Sequence, residues 1–531
     1  LGDVYKRQPE DTVYRLYYAF RSPLNRVQGH QVLAINRGER EGVLKVSVEM
    51  EREAALIPVR RAVLNPGAPA MAFVRAAAED AYDRLIFPSV EREMRSLLTE
   101  QADEGAIKMF GLNLKPLLMQ PPVKGFVTMG LDPGYRNGCK VAVVDATGKV
   151  LDTAVVYPTF SQRKKEEAID TLAKLIRRHG VAHIAIGNGT ASRETEQMTV
   201  ELIKQLGGGV SYMIVNEAGA SVYSASKLAA EEFPDYDVNL RSAVSIARRL
   251  QDPLAELVKI DPKSIGVGQY QHDMPQARLD ETLSGVVEDC VNAVGVDLNT
   301  ASAPLLSYVA GLNNTTARNI VKYREENGAF TTRKGVLKVP KLGPKAFEQC
   351  AGFLRVPESR NVLDHTGVHP ESYGAAEALL ALCGYGLSDV KAGGLDGLRE
   401  RVAAYGEEKA AEVCGVGVPT LRDIVGELVK PGRDPRDELP RPILRTDVLE
   451  MKDLKPGMEL TGTVRNVIDF GVFVDIGVHQ DGLVHISQLR EGRRVQHPSE
   501  VCAVGDIVTV WVLEVDEKKK RISLTMKKPK G

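Results

Sequence analysis

The sequence predicts a multidomain protein that is mostly α-helical, with an embedded α/β domain and a C-terminal all-β barrel. Apolar residues recur every three or four positions over most of the chain. The period changes to strand-like runs after Gly125 and to strict alternation near the C-terminus. The 531 residues also exceed what a single hydrophobic core supports. We therefore expect several domains that differ in secondary structure.

Residues 1–122 are predicted to form a helical N-terminal and central region. Apolar residues at helical spacing run from Leu85 to Leu117, and Pro121-Pro122 closes the region. The chain starts at Leu1 without a methionine, and the pattern of its first eight residues does not continue into the neighbouring segment. We expect this region to be truncated at its N-terminus.

The segment 125–255 is predicted to be a mixed α/β domain. Three strands in a meander are followed by alternating helices and strands, which gives a sheet with one antiparallel edge. This order of elements is the one that RNase H-like domains use.

The rest of the chain divides into five segments. Helical periodicity covers the first three, a proline-rich and charged stretch forms the fourth, and strands broken by glycine turns form the last. The segments are a connecting helical segment at 256–300, a helix-hairpin-helix pair at 301–357, a second helical domain of helix-hairpin-helix type at 358–430, a linker at 431–450, and a five-stranded barrel of the OB-fold type at 452–528.

The composition limits the classes of partner. A formal charge of −1 gives no global basic field, so nucleic-acid affinity has to come from local patches. The six cysteines are scattered, with neither CxxC pairs nor a Cys/His cluster at zinc spacing, which favours reduced thiols. No apolar run approaches the roughly 20 residues of a membrane span. We expect a cytoplasmic protein with no cofactor, no metal and no membrane partner.

Two carboxylates of the α/β domain are candidate metal ligands. RNase H-like nucleases hold divalent metals between carboxylates at neighbouring strand ends, because Mg²⁺ and Mn²⁺ prefer hard oxygen ligands. Asp132 ends the first strand and Glu217 follows the fifth. The fourth strand ends in Asn188 and the last helix offers Ser242, where further acids would be expected. The other nearby acids, which the spacing does not single out, are Asp145, Glu194 and Glu196.

Two interpretations of this pair stay open. In the first, Asp132 shapes the Pro-Gly turn and Glu217 bonds local backbone, so that the fold is kept and catalysis is lost. In the second, the pair serves a metal-dependent nuclease or resolvase. We expect the first, because two carboxylates without a third make a weak metal site.

Two short hairpins are candidate nucleic-acid contacts. They contain Gly311 and Asn313 in the first copy, and Lys341, Gly343 and Lys345 in the second. A glycine permits a tight turn whose backbone N–H groups can bind a phosphate oxygen without reading sequence. Basic residues outnumber acidic ones here: Arg318, Lys322, Arg324, Arg333, Lys334, Lys338, Lys341, Lys345 and Arg355, against Glu325, Glu326 and Glu348.

The barrel carries a candidate stacking surface. Strict alternation in GVFVDIG predicts that Phe473 faces away from the barrel core. Gly471 permits a kink that turns Phe470 outward as well. With His485 and Arg465, these phenylalanines would form an aromatic and cationic surface on which single-stranded RNA or DNA stacks. Core packing of either phenylalanine is the alternative.

From about His30 onwards the chain resembles the bacterial Tex transcription accessory proteins. The stretches that carry the resemblance include RLIFPSVEREMR, GLDPGYRNGCKVAVVD, GNGTASRET, NEAGASVYSASKLA, IDPKSIGVGQYQHDM and DHTGVHPESY, together with the hairpins and the barrel. The resemblance implies an elongated, mostly helical protein with a YqgF-type RNase H-like domain, helix-hairpin-helix elements and an S1 domain. In that family the YqgF-type domain generally lacks a complete catalytic site, in agreement with Asn188 and Ser242.

The resemblance also implies a function. It implies largely sequence-independent binding of RNA, DNA or both, with RNA polymerase or other transcription machinery as a partner. The architecture is similar to that of a eukaryotic elongation factor that works with RNA polymerase and chromatin. A scaffold whose helices bind polymerase or a ribosomal partner, with secondary nucleic-acid contacts, stays open as an alternative.

Overall fold

The computed structural model describes residues 12–266, 268, 270–432, 434–446, 451–468, 470–478, 480–492, 495–516 and 519–528. The chain divides into two compact units: residues 1–111 with 267–282, and residues 112–266 with 283–531. Within the described ranges, every helix is too short or too polar to cross a membrane.

The first unit is helical, as its apolar periodicity predicts. Ile107 and Phe110 are buried, and the carboxylate of Asp273 forms ion pairs with Arg37 and Arg40. The α-helices that begin in its first segment are α1 (Gly29–Arg40), α2 (Arg52–Val63), α3 (Met71–Ala81) and α4 (Phe87–Leu118).

The second unit contains a five-stranded mixed sheet with the strand order β3-β2-β1-β4-β5. The first three strands pair antiparallel, while β4 and β5 add in parallel. The strands are β1 (Thr128–Asp132), β2 (Cys139–Val144), β3 (Val150–Val156), β4 (His183–Gly187) and β5 (Ser211–Val215). The helices of this domain are α5 (Gln162–His179), α6 (Ser192–Leu206), α7 (Ala220–Ser224), α8 (Lys227–Glu232), α9 (Val238–Gln251) and α10 (Pro253–Leu257).

Helices cover both faces of this sheet. Leu172 of α5 and Met198 of α6 pack in one core with Leu131, whereas Ala243 of α9 packs on the opposite face. Gly130 allows α9 to lie against β1, because a Cβ at this position would overlap the carbonyl oxygen of Ala243. This close approach brings α9 to the end of β1.

Further helices follow the sheet, and a two-stranded parallel ladder joins β6 (Val296–Asp297) to β7 (Leu354–Arg355). The helices α15 to α19 share a single apolar core. The helices are α11 (Gln276–Val294), α12 (Ala303–Ser307), α13 (Asn314–Asn327), α14 (Pro344–Cys350), α15 (Tyr373–Leu382), α16 (Leu387–Ala392), α17 (Leu398–Tyr405), α18 (Glu407–Cys414) and α19 (Val418–Val429).

The C-terminal strands close into a barrel in the order β10-β12-β11-β8-β9. Val472, Val474 and Ile476 are buried in its core, as the alternation of their segment requires. The strands are β8 (Glu459–Ile468), β9 (Gly471–Asp475), β10 (Gly482–His485), β11 (Ile507–Asp516) and β12 (Arg521–Thr525). The predicted fold class, a mostly helical multidomain protein with an α/β domain and a C-terminal barrel, is confirmed.

The segment predicted as a linker is docked over its described residues 434–446. Arg445 pairs with Tyr212 of β5, and both backbone N–H to carbonyl distances are 2.8 Å. Arg436 is 1% exposed and forms ion pairs of 2.7 Å with Asp252 and with Asp434. Proline and charge predicted a linker, but Arg436 and Asp434 of this segment form an ion-pair cluster with Asp252 of the α/β domain.

Candidate nucleic-acid interface and carboxylate pair

Asp132 lies at the end of β1 and is bonded on two sides. The hydroxyl of Ser242 on α9 donates a hydrogen bond to its carboxylate. Lys140, its partner across the β1–β2 ladder, places Nζ 4.0 Å from Asp132 Oδ2. At the position where a further acid was expected, the last helix therefore supplies a neutral donor. A cationic side chain supplies the second contact.

Glu217 lies near Asp132, in the loop that follows β5. Burial raises the pKa of its carboxyl group, and the negative charge of Asp132 raises it further. Its backbone N–H donates to Asn188 Oδ1 at 3.0 Å. A Cβ at Gly189 would overlap the Glu217 carboxylate, so the turn after β4 encloses this group. Asn188 thus positions the loop that carries Glu217, where an acid would have faced two other carboxylates.

The other acids named from the sequence are engaged elsewhere. Glu194 accepts a hydrogen bond from the hydroxyl of Tyr135. Glu196 accepts one from Tyr212 at 2.9 Å, and Asp145 accepts hydrogen bonds within its own turn from Thr147. Among the described residues, no group of three or more His, Cys, Asp or Glu side chains could hold a metal ion. Among the described residues of the α/β domain, the candidate metal ligands are therefore limited to the carboxylate pair of Asp132 and Glu217.

The first hairpin joins α12 to α13. Gly311 has φ of +79°, and its missing Cβ lets the turn lie against Gln349 of α14, so the two hairpins pack together. The side chain of Asn313 caps α13 by accepting from the N–H groups of Thr315 and Thr316, at 2.9 and 3.0 Å. These N–H groups at the start of α13 are therefore already bonded within the chain.

The second hairpin makes its turn with a lysine. Lys341 has φ of +65° at the position that matches Gly311, whereas Gly343 is extended and precedes α14. The glycine of this copy was expected to supply the left-handed residue, and Lys341 does so instead. Lys338, Lys341 and Lys345 are all exposed on this hairpin. The turn thus projects a lysine where the first copy has no side chain.

The hairpins expose fewer basic side chains than the sequence count suggests. Arg333 is 0% exposed, and its guanidinium donates to the carbonyl oxygens of Val368 and Leu363 at 2.7 and 3.2 Å. Arg355 donates to the carbonyl oxygen of Gly352 at 2.6 Å. Arg333 therefore holds the hairpins to the following domain, whereas Arg355 bonds backbone of its own turn, and neither arginine extends the exposed patch.

An aromatic face lies on the outside of the barrel. Phe473 pairs with Leu483 of β10 and is partly exposed, while His485 at the end of β10 is exposed. Phe470 is 53% exposed, and its carbonyl accepts from the N–H of Ile486 at 2.9 Å. Phe470, Phe473 and His485 are therefore available to a flat ligand, and we call them the aromatic face.

Arg465 does not extend the aromatic face with a free charge. Its guanidinium lies 2.6 Å from Asp475 Oδ2. Arg445 contacts the other oxygen of the same carboxylate at 3.3 Å. The sequence suggested a cation beside the phenylalanines, but Arg465 belongs to the contact between the barrel and the docked segment.

The structure adds two residues that the sequence reasoning missed. Lys140 interrupts the apolar residues of β2, and the antiparallel pairing of β1 with β2 places it opposite Asp132. The register of this hairpin could therefore have identified Lys140 from the sequence. Arg249 lies on the apolar side of α9, among Ile246 and Leu250, and is 3% exposed. An arginine at a core position of an amphipathic helix was a second signal.

A sheet of this order, paired hairpins and a closed S1-type barrel together define a multidomain protein of the nucleic-acid-binding class. Family models match along the chain: Tex central region-like at 4–110, Tex protein YqgF-like domain at 126–251, helix-hairpin-helix motif at 291–355, HHH domain at 361–436 and S1 RNA binding domain at 453–527. The chain belongs to the Tex family.

Relatives from three bacteria match nearly the whole chain. An uncharacterized protein YdcI of Bacillus subtilis is 53% identical, over 98% of this chain and 72% of its own length. The transcriptional accessory protein Tex of Neisseria gonorrhoeae is 51% identical, over 98% and 68%. The protein YhgF of Escherichia coli is 50% identical, with the same two shares. The predicted resemblance is confirmed.

Proposed function

We propose that this protein is a non-enzymatic transcription accessory factor that binds nucleic acid at two separate surfaces and acts in the cytoplasm. The observation that carries the proposal is the second hairpin, where Lys338, Lys341 and Lys345 are exposed around one tight turn. A relative named transcriptional accessory protein Tex supports the transcription role. RNA polymerase is the partner that we propose.

The hairpin lysines would contact phosphates. Lys341 stands out from the turn itself, and Lys338 and Lys345 flank it on either side. Lysine binds a phosphate as a point charge and carries no base preference. Such contacts would give a chain with no overall positive charge a sequence-independent affinity for nucleic acid, and they predict a strong dependence of that affinity on salt.

The aromatic face would bind a single strand. Phe470 and His485 offer exposed rings at neighbouring strand ends. Every base has a π-face, so stacking on these rings does not select sequence. RNA is the preferred ligand that we propose for this face, since the matching family model is an S1 RNA binding domain.

The carboxylate pair supports binding without cleavage. Ser242 donates to Asp132, Asn188 holds the Glu217 loop, and Lys140 faces Asp132. A two-metal phosphodiesterase needs carboxylates where these neutral and cationic groups lie. We therefore propose that the α/β domain keeps the architecture of a nuclease and lacks its activity.

The binding test is fluorescence anisotropy with a labelled single-stranded RNA and the full chain. We expect the double substitution Phe470→Ala with His485→Ala to weaken binding about tenfold or more, because base–aromatic stacking contributes about 1–3 kcal/mol per base. Phe160→Ala is the matched control, since Phe160 is 58% exposed on the α/β domain. Equal affinity of the double variant and the wild type would rule out the aromatic face.

The cleavage test uses single-stranded, duplex and branched substrates with Mg²⁺ or Mn²⁺. We expect all substrates to stay intact. Cleavage that Asp132→Ala abolishes would instead establish a nuclease that uses Asp132.

The partner test is binding of purified RNA polymerase by the full chain after nuclease treatment, and loss of the interaction on that treatment would refute a direct protein contact.

A further inference from the structure

The segment 43–50 of the first unit is extended like a β-strand but belongs to no sheet in the part of the chain that the structure describes. From Val43 to Glu49 its side chains alternate between exposed and half-buried, which is the period of a strand. The segment leaves α1 through a turn at Gly42, whose φ is +73°, and it ends where α2 begins. A strand that joins no sheet presents unpaired backbone groups to a partner.

One edge of this segment is bonded to the helices beside it. The N–H of Leu44 donates to a carbonyl oxygen of α1 at 3.0 Å. The N–H of Val46 donates to the carboxylate of Glu39 on α1, and the N–H of Val48 donates to Glu91 Oε1 on α4 at 2.8 Å. The bonded donors therefore belong to every second residue, on the edge that faces α1 and α4.

The opposite edge has no backbone partner within the described ranges. Successive residues of a strand point their N–H and C=O groups to opposite edges, so those of Lys45, Ser47 and Glu49 point away from the helices. Their N–H groups bond to no described residue, and their side chains are exposed. Glu49 contacts Arg21 at 3.8 Å between two exposed side chains, a kind of ion pair that contributes little. This edge is therefore free to accept a second strand.

We propose that this edge pairs with the same edge of a second copy of the chain, in an antiparallel ladder centred on Ser47. The pairing places Lys45 opposite Glu49 of the second copy and Glu49 opposite its Lys45, so opposite charges meet twice. A ladder centred on Lys45 or on Glu49 would instead put like charges opposite each other. The charges of the segment therefore favour a second copy as the partner and favour this register.

The same register suits the backbone and the apolar side chains. The three outward residues would form the hydrogen-bonded pairs of the ladder, with Ser47 opposite Ser47 of the second copy. Between those pairs, Val46 meets Val48 and Leu44 meets Met50, at the closer spacing of non-hydrogen-bonded pairs. A single pair of strands buries little surface, so we expect a weak dimer whose population rises with concentration.

The first test is analytical ultracentrifugation of the full chain, treated with nuclease, over a concentration range of about a hundredfold. We expect a reversible equilibrium between monomer and dimer. Nuclease treatment removes association through shared nucleic acid, so the result is independent of the proposed function. A chain that stays monomeric over the whole range would overturn the proposal.

The second test exchanges the charges of the ladder. Lys45→Glu and Glu49→Lys should each weaken dimerisation about tenfold or more, because each creates two like-charged pairs. The double variant with both substitutions restores opposite charges and should dimerise as the wild type does. Both side chains are exposed, so the variants are expected to fold.

The control for the charge variants is Lys108→Glu, which changes an exposed lysine of α4 and should leave dimerisation unchanged. A dimer that the single variants leave unaltered, or that the double variant does not restore, would refute the pairing.

Discussion

Ser242 and Asp132 are joined by a hydrogen bond from the hydroxyl on α9 to the carboxylate at the end of β1. A bond of this kind, to a charged group, contributes about 1.5–3 kcal/mol. It also occupies an oxygen that a metal ion would need. The pair therefore stabilises the packing of α9 on the sheet at a place where related folds perform chemistry.

Replacing Ser242 by aspartate should make the site respond to metal. A second carboxylate beside Asp132 is expected to lower the free energy of unfolding in EDTA by about 1–3 kcal/mol, because like charges repel in a partly buried site. Mn²⁺ should restore part of the loss, as judged by Tm. Ser242→Ala should lose stability without a response to Mn²⁺. A wild-type Tm that rises with Mn²⁺ as much as that of Ser242→Asp would contradict this account.

The stability of the chain should depend on pH through Glu217. Its pKa is raised in the folded state by burial and by Asp132, so the folded state retains a proton that the unfolded state has released. This group's contribution to stability therefore falls as pH rises from the unfolded pKa through the folded pKa. Glu217→Gln should be more stable than the wild type at neutral pH, and the difference should shrink on acidification.

The check on Glu217 is urea unfolding of both proteins across the acidic range. Glu412→Gln is the matched control, because Glu412 is exposed on α18. A Glu217→Gln variant that is less stable than the wild type at neutral pH would show that the carboxylate is stabilising, against the expectation from its burial.

A side chain at Gly189 should destabilise the protein. A Cβ there would overlap the Glu217 carboxylate, so Gly189→Ala is expected to lower the free energy of unfolding by about 1–3 kcal/mol. Gly285→Ala is the control, since a Cβ in that part of α11 meets nothing within 4 Å. It should be neutral or stabilising by about 0.5–1 kcal/mol. Equal stability of the two variants in urea would show that Glu217 moves away freely.

Lys341→Gly should separate binding from stability. A left-handed conformation costs a non-glycine residue about 1–2 kcal/mol, and glycine removes that cost while it adds chain entropy to the unfolded state. We expect the free energy of unfolding to stay within about 1 kcal/mol of the wild type. Affinity for duplex DNA should fall, and the slope of log K against log salt should decrease by about 0.9, as one lost phosphate contact predicts.

The control for Lys341 is Lys227→Gly, an exposed lysine at the start of α8 in the α/β domain. It should leave both the affinity and the salt slope unchanged. An unchanged salt slope in Lys341→Gly would exclude this lysine from the phosphate contacts.

The sequence predicted the fold well because its signals were periodic. The alternation that buries Val472 and Val474 and exposes the side of Phe473 follows from strand geometry alone. The position of Asp132 at a strand end followed from the Pro-Gly turn. Each of these inferences needed only local pattern, and the resemblance to a family supplied the order of the domains.

The sequence could not show which charges are used in the interior. In the sequence, Arg333 counts as one more basic residue of the hairpins, yet its side chain is wholly buried against carbonyl groups of the following domain. Arg436 lies in a stretch with the composition of a linker, yet it binds Asp252, distant in sequence. The sequence suggests Arg465 as a cation of the aromatic face, because the sequence alone does not show that Arg465 pairs with Asp475. Long-range ion pairs leave no periodic signal, so these residues needed the structure.

The backbone pairing of Tyr212 with Arg445 is also expected to limit self-association of the chain. An unpaired edge strand such as β5 would expose a row of N–H and carbonyl groups, to which the β5 of another molecule could add. The docked segment occupies part of that row with residues of the same chain. A cut between 434 and 446 is therefore expected to promote intermolecular sheet formation, with aggregation setting in before either proposed nucleic-acid surface is damaged.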